Sequence, residues 1–209
     1  MSKAHINYWD FIYDTKDSTQ VGWYQALPAK SLAAIQKVDL KLDADILDVG
    51  GGDSLLVDKL NYLGYQNLHV LDLSKNALEN AQDRLGEAAK NVHWYPQNIL
   101  DGFAVDLYFD FWHDRAAFHF LTDPMEQILY REIAAACINP GGYLMIHTFS
   151  PDGPKTCSNL PVRQWSVGEL TRFFEADFQL FEGFNYDHFT PAGKAQNYSV
   201  VILKRRLEI

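Results

Sequence analysis

The stretch Asp45–Ser54, DILDVGGGDS, is an apolar run that ends in three consecutive glycines. Ile46, Leu47 and Val49 favour a strand. Gly50, Gly51 and Gly52 then let the backbone turn sharply and come into contact with a ligand before a helix begins. Asp53 or Ser54 supplies a cap for a helix running to Leu63, and Gly64 stops it. The decade therefore predicts a strand, a tight corner and a helix, the local plan of a cofactor-binding α/β sheet.

A second acid extends the plan. The run HVLDLS closes another apolar strand at Asp72, and an acid at the tip of the second strand accepts hydrogen bonds from ribose hydroxyls in nucleotide-binding sheets. The dinucleotide fingerprint G-x-G-x-x-G is incomplete, because Leu55 stands where its third glycine belongs. That departure speaks against NAD, which is kept as the alternative cofactor.

Working outward, PAKSLAAIQKV over 28–38 has helical spacing, and Ser74 caps a helix over SKNALENAQDRLGEAAK. Strands are predicted in VHWYPQN and DLYFDFWHD. Asp123 followed by Pro124 opens a helix through Cys137, and Asn139-Pro140-Gly141-Gly142 breaks it ahead of the strand GYLMIHTF. After a Pro/Gly-rich loop through Pro161, Ser166 and Glu169 form a capping box. Two strands, FQLFEGFNYDHF and NYSVVILKR, close the chain. Alternating strands and helices imply a mostly parallel sheet covered on both faces, with an antiparallel closing pair.

The 209 residues suit one well-buried α/β domain, and 47% apolar with 22% charged residues is ordinary globular composition. A formal charge of −9 argues against a nucleic acid partner, since phosphate binding needs clustered Lys and Arg. No apolar run approaches a membrane span, and the first residues resemble neither a secretion signal nor a transit peptide. Cys137 and Cys157 make neither a disulfide framework nor a metal motif, so a reducing cytoplasm is the expected compartment.

With DVGGG, LDLS, the NPGG turn and the closing strand pair in place, the chain resembles the class I S-adenosylmethionine (SAM)-dependent methyltransferases from Asp45 to Arg205. The resemblance implies a Rossmann-like seven-stranded sheet, mostly parallel, with an antiparallel last strand and helices on both faces. It also implies SAM as cofactor: Asp48, Gly50, Gly51 and Gly52 at its methionine end, Asp72 at the ribose, Leu73 and Ile99 beside the adenine. Such enzymes commonly carry an acid where Asn98 stands, and the Asn98 carbonyl can accept the same adenine bond. The leader YWDFIYDTKDSTQVGWYQ and the run WHDRAAFHFL are similar to a subgroup of thiopurine-type and lysine-methylating enzymes. In that subgroup an aromatic element, here residues 1–27, folds over the cofactor.

Methyl transfer from a sulfonium is an in-line displacement, so positioning and exclusion of water supply much of the rate. Parallel α/β sheets place their sites beyond the carboxyl ends of the strands, which puts Asp114 at the pocket. His113, Asp114 and His119 are the candidate bases. The competing reading is that Asp114 and Arg115 pair to cap the next turn while the histidines pack. A metal at these three fits the ligand types but not the alternation of side chains along a strand, so none is expected. Trp23 and Tyr24 are placed at the cofactor, where an aromatic face attracts a cation by on the order of 1 kcal/mol; a flap covering core is the plainer reading. Cys157 is read as a pocket-lining or surface cysteine and Cys137 as core. A small-molecule acceptor is favoured; the alternatives are a protein lysine substrate or a SAM-binding partner or sensor without catalysis.

Overall fold

The computed structural model describes residues 3–104 and 106–207, so Met1 and Ser2 of the predicted lid lie outside the described residues. Nine strands and six α-helices follow one another among them. They are α1 (Lys3–Thr15), α2 (Ala29–Lys37), β1 (Asp45–Val49), α3 (Leu56–Tyr62), β2 (Asn67–Asp72), α4 (Lys75–Leu85) and β3 (Val92–Pro96). Then come β4 (Phe109–Arg115), α5 (Pro124–Cys137), β5 (Ile138–Phe149), β6 (Thr156–Cys157), β7 (Leu160–Pro161), α6 (Val167–Phe174), β8 (Phe178–Phe189) and β9 (Ala195–Arg205).

Seven strands form one sheet in the order β3-β2-β1-β4-β5-β9-β8, parallel except for β9, which runs antiparallel to both neighbours. The last strand therefore inserts inside the sheet and leaves β8 as the edge. β6 and β7 make a separate small hairpin. The register matters for function. Val49 lies beside Leu71 on one side and Asp114 on the other, so β1, β2 and β4 end level with one another.

Side chains that alternate along β1, β4 and β5 feed two cores. Leu47, Trp112, Leu144 and Ile146 pack towards α5 and α6, while Ile46, Phe111, Met145 and Ile202 pack with helices α2 and α3. Each fully buried side chain of this size contributes about 1.5–3 kcal/mol.

The helix starts follow the capping chemistry. Ser74 Oγ accepts from the Ala77 N–H, Asp123 from the Met125 N–H, and Ser166 with Glu169 closes a capping box. Helix α3 differs from expectation: it begins at Leu56 without a side-chain cap, and Ser54 Oγ instead accepts from the Leu56 N–H inside the preceding turn. Strand β5 also begins earlier, at Ile138. Asn139–Gly142 form an irregular lead, held by the Asn139 amide on Asp110 at 2.9 Å, and regular pairing with β4 starts at Tyr143. No helix among the described residues is long and apolar enough to cross a membrane.

Candidate active site

The glycine corner stands at the top of β1. The Gly50 and Gly51 N–H groups donate to the Leu71 carbonyl at 2.7 and 3.2 Å, tying the corner to β2. Gly50 and Gly52 have φ of +65° and +48°, a region that favours glycine. A Cβ on Gly50 would fall 2.6 Å from the Ala117 Cβ. One on Gly52 would fall 2.6 Å from the Tyr13 hydroxyl and 3.1 Å from Asp72 Oδ2. The backbone is thus kept bare where the next wall approaches.

Asp72, at the end of β2, is buried and accepts from the Ser74 N–H at 2.8 Å. Burial pushes its carboxyl up to about 7, with Asp48 and Asp10 adding to the rise and the Ser74 bond opposing it. Asp48 faces the other way. His113 Nδ1–H donates to it at 2.7 Å, and the Ser31 hydroxyl meets His113 Nε2 at 2.8 Å, so both imidazole nitrogens are occupied.

The leader forms a roof. Asp10 accepts from the Ser74 hydroxyl at 2.7 Å, the Tyr8 hydroxyl donates to the Ser158 carbonyl on the small hairpin, and Trp9 meets Trp23 and Phe120 edge to face. Beneath it are two cavities. One is bounded by Asp72, Leu73, Asn98 and Ile99 on one side and Ala117, Phe120 and Cys157 on the other. The second is bounded by Tyr24, Ser31, Asp48, Gly51 and His113. Tyr13, Trp23, Gly50 and Arg115 line both, so the cavities meet there.

The end of β4 differs from the sequence expectation. Asp114 lines neither cavity: it is fully buried and accepts from the Ala117 and Phe118 N–H groups at 3.0 and 3.1 Å and from the Tyr130 hydroxyl at 2.7 Å. It caps the turn, but without pairing to Arg115, whose Nη2 donates instead to the Trp23 carbonyl at 2.8 Å. Burial raises Asp114 to about 6 against the pull of those bonds. His119 is buried behind Phe149, with Nε2 unpartnered, and burial lowers it to about 3. Of the three candidate bases, only His113 reaches a cavity. Cys157 also lines one, and burial pushes its thiol up to about 12. Among the described residues no group of three or more His, Cys, Asp or Glu side chains is placed to hold a metal.

A family model described as a methyltransferase domain matches residues 46–142, which run from β1 through the beginning of β5. A structure concerned with converting a disulfide bond into a thioacetal group during echinomycin biosynthesis aligns with a TM-score of 0.78 at 18% identity, covering 98% of this chain and 94% of that one. The fold is the Rossmann-like methyltransferase fold. A SAM-dependent methyltransferase from Methanosarcina mazei aligns with a TM-score of 0.72 at 18% identity, over 88% of this chain and all of its own length. A Burkholderia thailandensis 1,6-didemethyltoxoflavin-N1-methyltransferase, solved with 1,6-didemethyltoxoflavin and S-adenosylhomocysteine, gives 0.74 at 19% identity, over 97% and 88% of the two chains. No curated protein matches the sequence.

Sequence reasoning placed the glycines, Asp48, Asp72, Leu73, Asn98, Ile99, Trp23 and Tyr24 at one end of the sheet, and all but Gly52 line a cavity; Gly52 packs against Tyr13 just beneath. It passed over Arg115, which reaches both cavities. The available signal was position: Arg115 is the last residue of a strand whose neighbours end at the site.

Proposed function

We propose that the chain transfers a methyl group from SAM to a small-molecule acceptor. The observation that carries this reading is the meeting of two cavities at Gly50, one lined by Asp72, Leu73, Asn98 and Ile99 and the other by Asp48, Gly51 and His113. SAM fits on structural grounds: the backbone at Gly50 and Gly52 stays bare beside the cavities, where Ala117 and Tyr13 leave no room for a Cβ, and Asp72 is a buried carboxylate lining the cavity that also holds Leu73, Asn98 and Ile99. When bound, the cofactor supplies an electrophilic methyl group on a positively charged sulfur.

The chain's own residues do the rest. Asp72 accepts from the ribose hydroxyls, and Leu73 and Ile99 flank the adenine. Asn98 Oδ1 already takes the Leu100 N–H at 3.1 Å and keeps a second lone pair for the adenine amino group. Asp48, fixed by His113, faces the ammonium end. Trp9, Tyr13 and Trp23 cover the junction and exclude water, with Tyr24 beside the amino acid end. His113 acts by orienting Asp48, and Asp114 by shaping the turn that carries Ala117. Rate then comes from holding the acceptor at attack distance in a dry site.

In this reading the whole chain works as one unit, with its leader through residue 27 as a lid like that of the thiopurine-type and lysine-methylating subgroup. Two free cysteines suit a reducing cytoplasm. The small-molecule preference is supported by the enclosed aromatic roof and by the toxoflavin-precursor enzyme of the same fold. Calorimetric titration with SAM, S-adenosylhomocysteine and NAD tests it. Micromolar binding of the first two and none of NAD is expected, whereas a chain that ignores SAM is not a methyltransferase.

A further inference from the structure

The wall opposite Asp72 carries a cation without a counter-ion. Arg115 is the one Lys or Arg among the residues lining the two cavities. Its Nη2 is used on the Trp23 carbonyl, the guanidinium also donates to the Tyr186 hydroxyl, its Nε is buried with no partner, and it forms no ion pair among the described residues. Arg115 is half-buried without an ion-pair partner, and its planar fork matches a carboxylate.

The surroundings favour the same ligand. Arg115 lies 5.9 Å from the ring of Tyr198, a fully buried residue that lines neither cavity and brings no carboxylate to it. Burial and Arg115 together keep His119 and His147 neutral, while burial keeps the Cys157 thiol protonated. The carboxylates lining the cavities stand on other elements: Asp48 on β1, Asp53 in the turn after it, paired to Arg84, and Asp72 at the end of β2. Tyr198 and Cys157 belong to β9 and the small hairpin, elements with no part in the glycine corner. Trp9, Trp23 and Phe120 give this end of the cavity an aromatic rim.

We infer that Arg115 is the receptor for a carboxylate on the methyl acceptor, which makes the substrate a small aromatic acid. The inference rests on the methyl transfer reading above and narrows its acceptor. A lysine side chain, arriving as an ammonium, would meet an unpaired guanidinium and no free carboxylate on this wall, so it is the wrong charge for the site.

The test uses the full chain saturated with S-adenosylhomocysteine. It is titrated calorimetrically with anthranilate, salicylate and thiosalicylate, each against its primary amide. At least one acid should bind ten-fold or more tightly than its amide. Arg115→Gln should erase that preference while leaving S-adenosylhomocysteine affinity within about three-fold, and Arg115→Lys, which keeps the charge, should retain part of it. Equal binding of acid and amide, or binding of neither, overturns the inference even though the cofactor binds. A parallel loss of S-adenosylhomocysteine affinity in Arg115→Gln would assign the guanidinium to the cofactor's own carboxylate and overturn it as well. Failure of the unmodified chain to bind S-adenosylhomocysteine is a different result, because it removes the methyl transfer reading underneath.

Discussion

The two walls of the site are built on different principles. The wall made by β1 and β2 is backbone and carboxylate: Gly50 and Gly52 at positive φ, with Asp48 held by His113 and Asp72 by the Ser74 and Gly52 N–H groups. The wall made by the end of β4 and the small hairpin is side chain and cation: Arg115 and Cys157 under an aromatic roof, with the buried Tyr198 of β9 packed against Arg115 from outside the cavities. The first is local in sequence, because a strand, a corner and an acid fall within a few residues. The second is assembled from residues 115 and 157, backed by 198, which only the sheet brings together. A fold that keeps one cofactor while changing acceptors would keep the first wall and vary the second.

The sharpest way to break this division is Gly50→Val. The new Cβ would stand 2.6 Å from the Ala117 Cβ with φ at +65°, so either the corner or the β4 turn must move. SAM affinity should fall by more than about 100-fold, the cost of a lost backbone approach plus strain on the order of 1–3 kcal/mol. Near-normal affinity by calorimetry would mean that the corner is not where the cofactor sits.

Asp114→Ala comes next and asks whether the β4 acid belongs to chemistry or to structure. Removing it strands the Ala117 and Phe118 N–H groups and the Tyr130 hydroxyl in the interior. The expected loss is about 3 kcal/mol of stability, a drop in Tm on the order of 10 °C for a chain of this size. A variant with unchanged Tm and abolished turnover would restore Asp114 as a base.

These two positions also show what the sequence makes legible. The strand and helix order, the capping residues Ser74, Asp123 and Ser166, and the glycine corner are short-range facts, encoded by propensity and spacing. The direction of Asp114 is not such a fact. Position at the end of a parallel strand points it at the site, yet pleat alternation and the free N–H groups of the next turn take it inward, and the following residue, Arg115, takes the outward place. The merging of NPGG into β5 was hidden for a related reason: its pairing with β4 depends on a bulge that no local pattern announces. The place of Arg115 at the end of β4 was legible, but not its lack of an ion-pair partner, which is a property of the assembled fold.

A smaller effect, with a characteristic sign, is expected at Asp72. Its carboxyl has a folded value of about 7 against an ordinary 3.8. Between those values the folded state holds a proton that the unfolded state has released, so folding stability contributed by this group falls as pH rises through that window. Asp72→Asn, which never ionises, should therefore be more stable than the unmodified chain at pH 8 and no more stable at pH 4. The same substitution should weaken SAM by about 1.5–3 kcal/mol through the loss of charge-assisted ribose bonds. In the unmodified chain SAM affinity should climb as pH passes through about 7. Stability gained and affinity lost in one variant would mark a group retained for its ligand; loss of both would make Asp72 a structural acid.

The mildest probe is Cys157, where the two walls make opposite demands. A thiol beside an unpaired guanidinium would ordinarily be drawn towards the thiolate, but burial prevails here and holds it at about 12. Iodoacetamide should therefore label Cys157 slowly at pH 8. Cys157→Ala should change SAM affinity by less than about 0.5 kcal/mol, since the side chain stands on the acceptor side, while altering selectivity among acceptors. Rapid labelling at pH 8 would mean that the cation on this wall dominates its surroundings more than its burial allows. Cys157 would then be a nucleophile poised at the site rather than part of its lining.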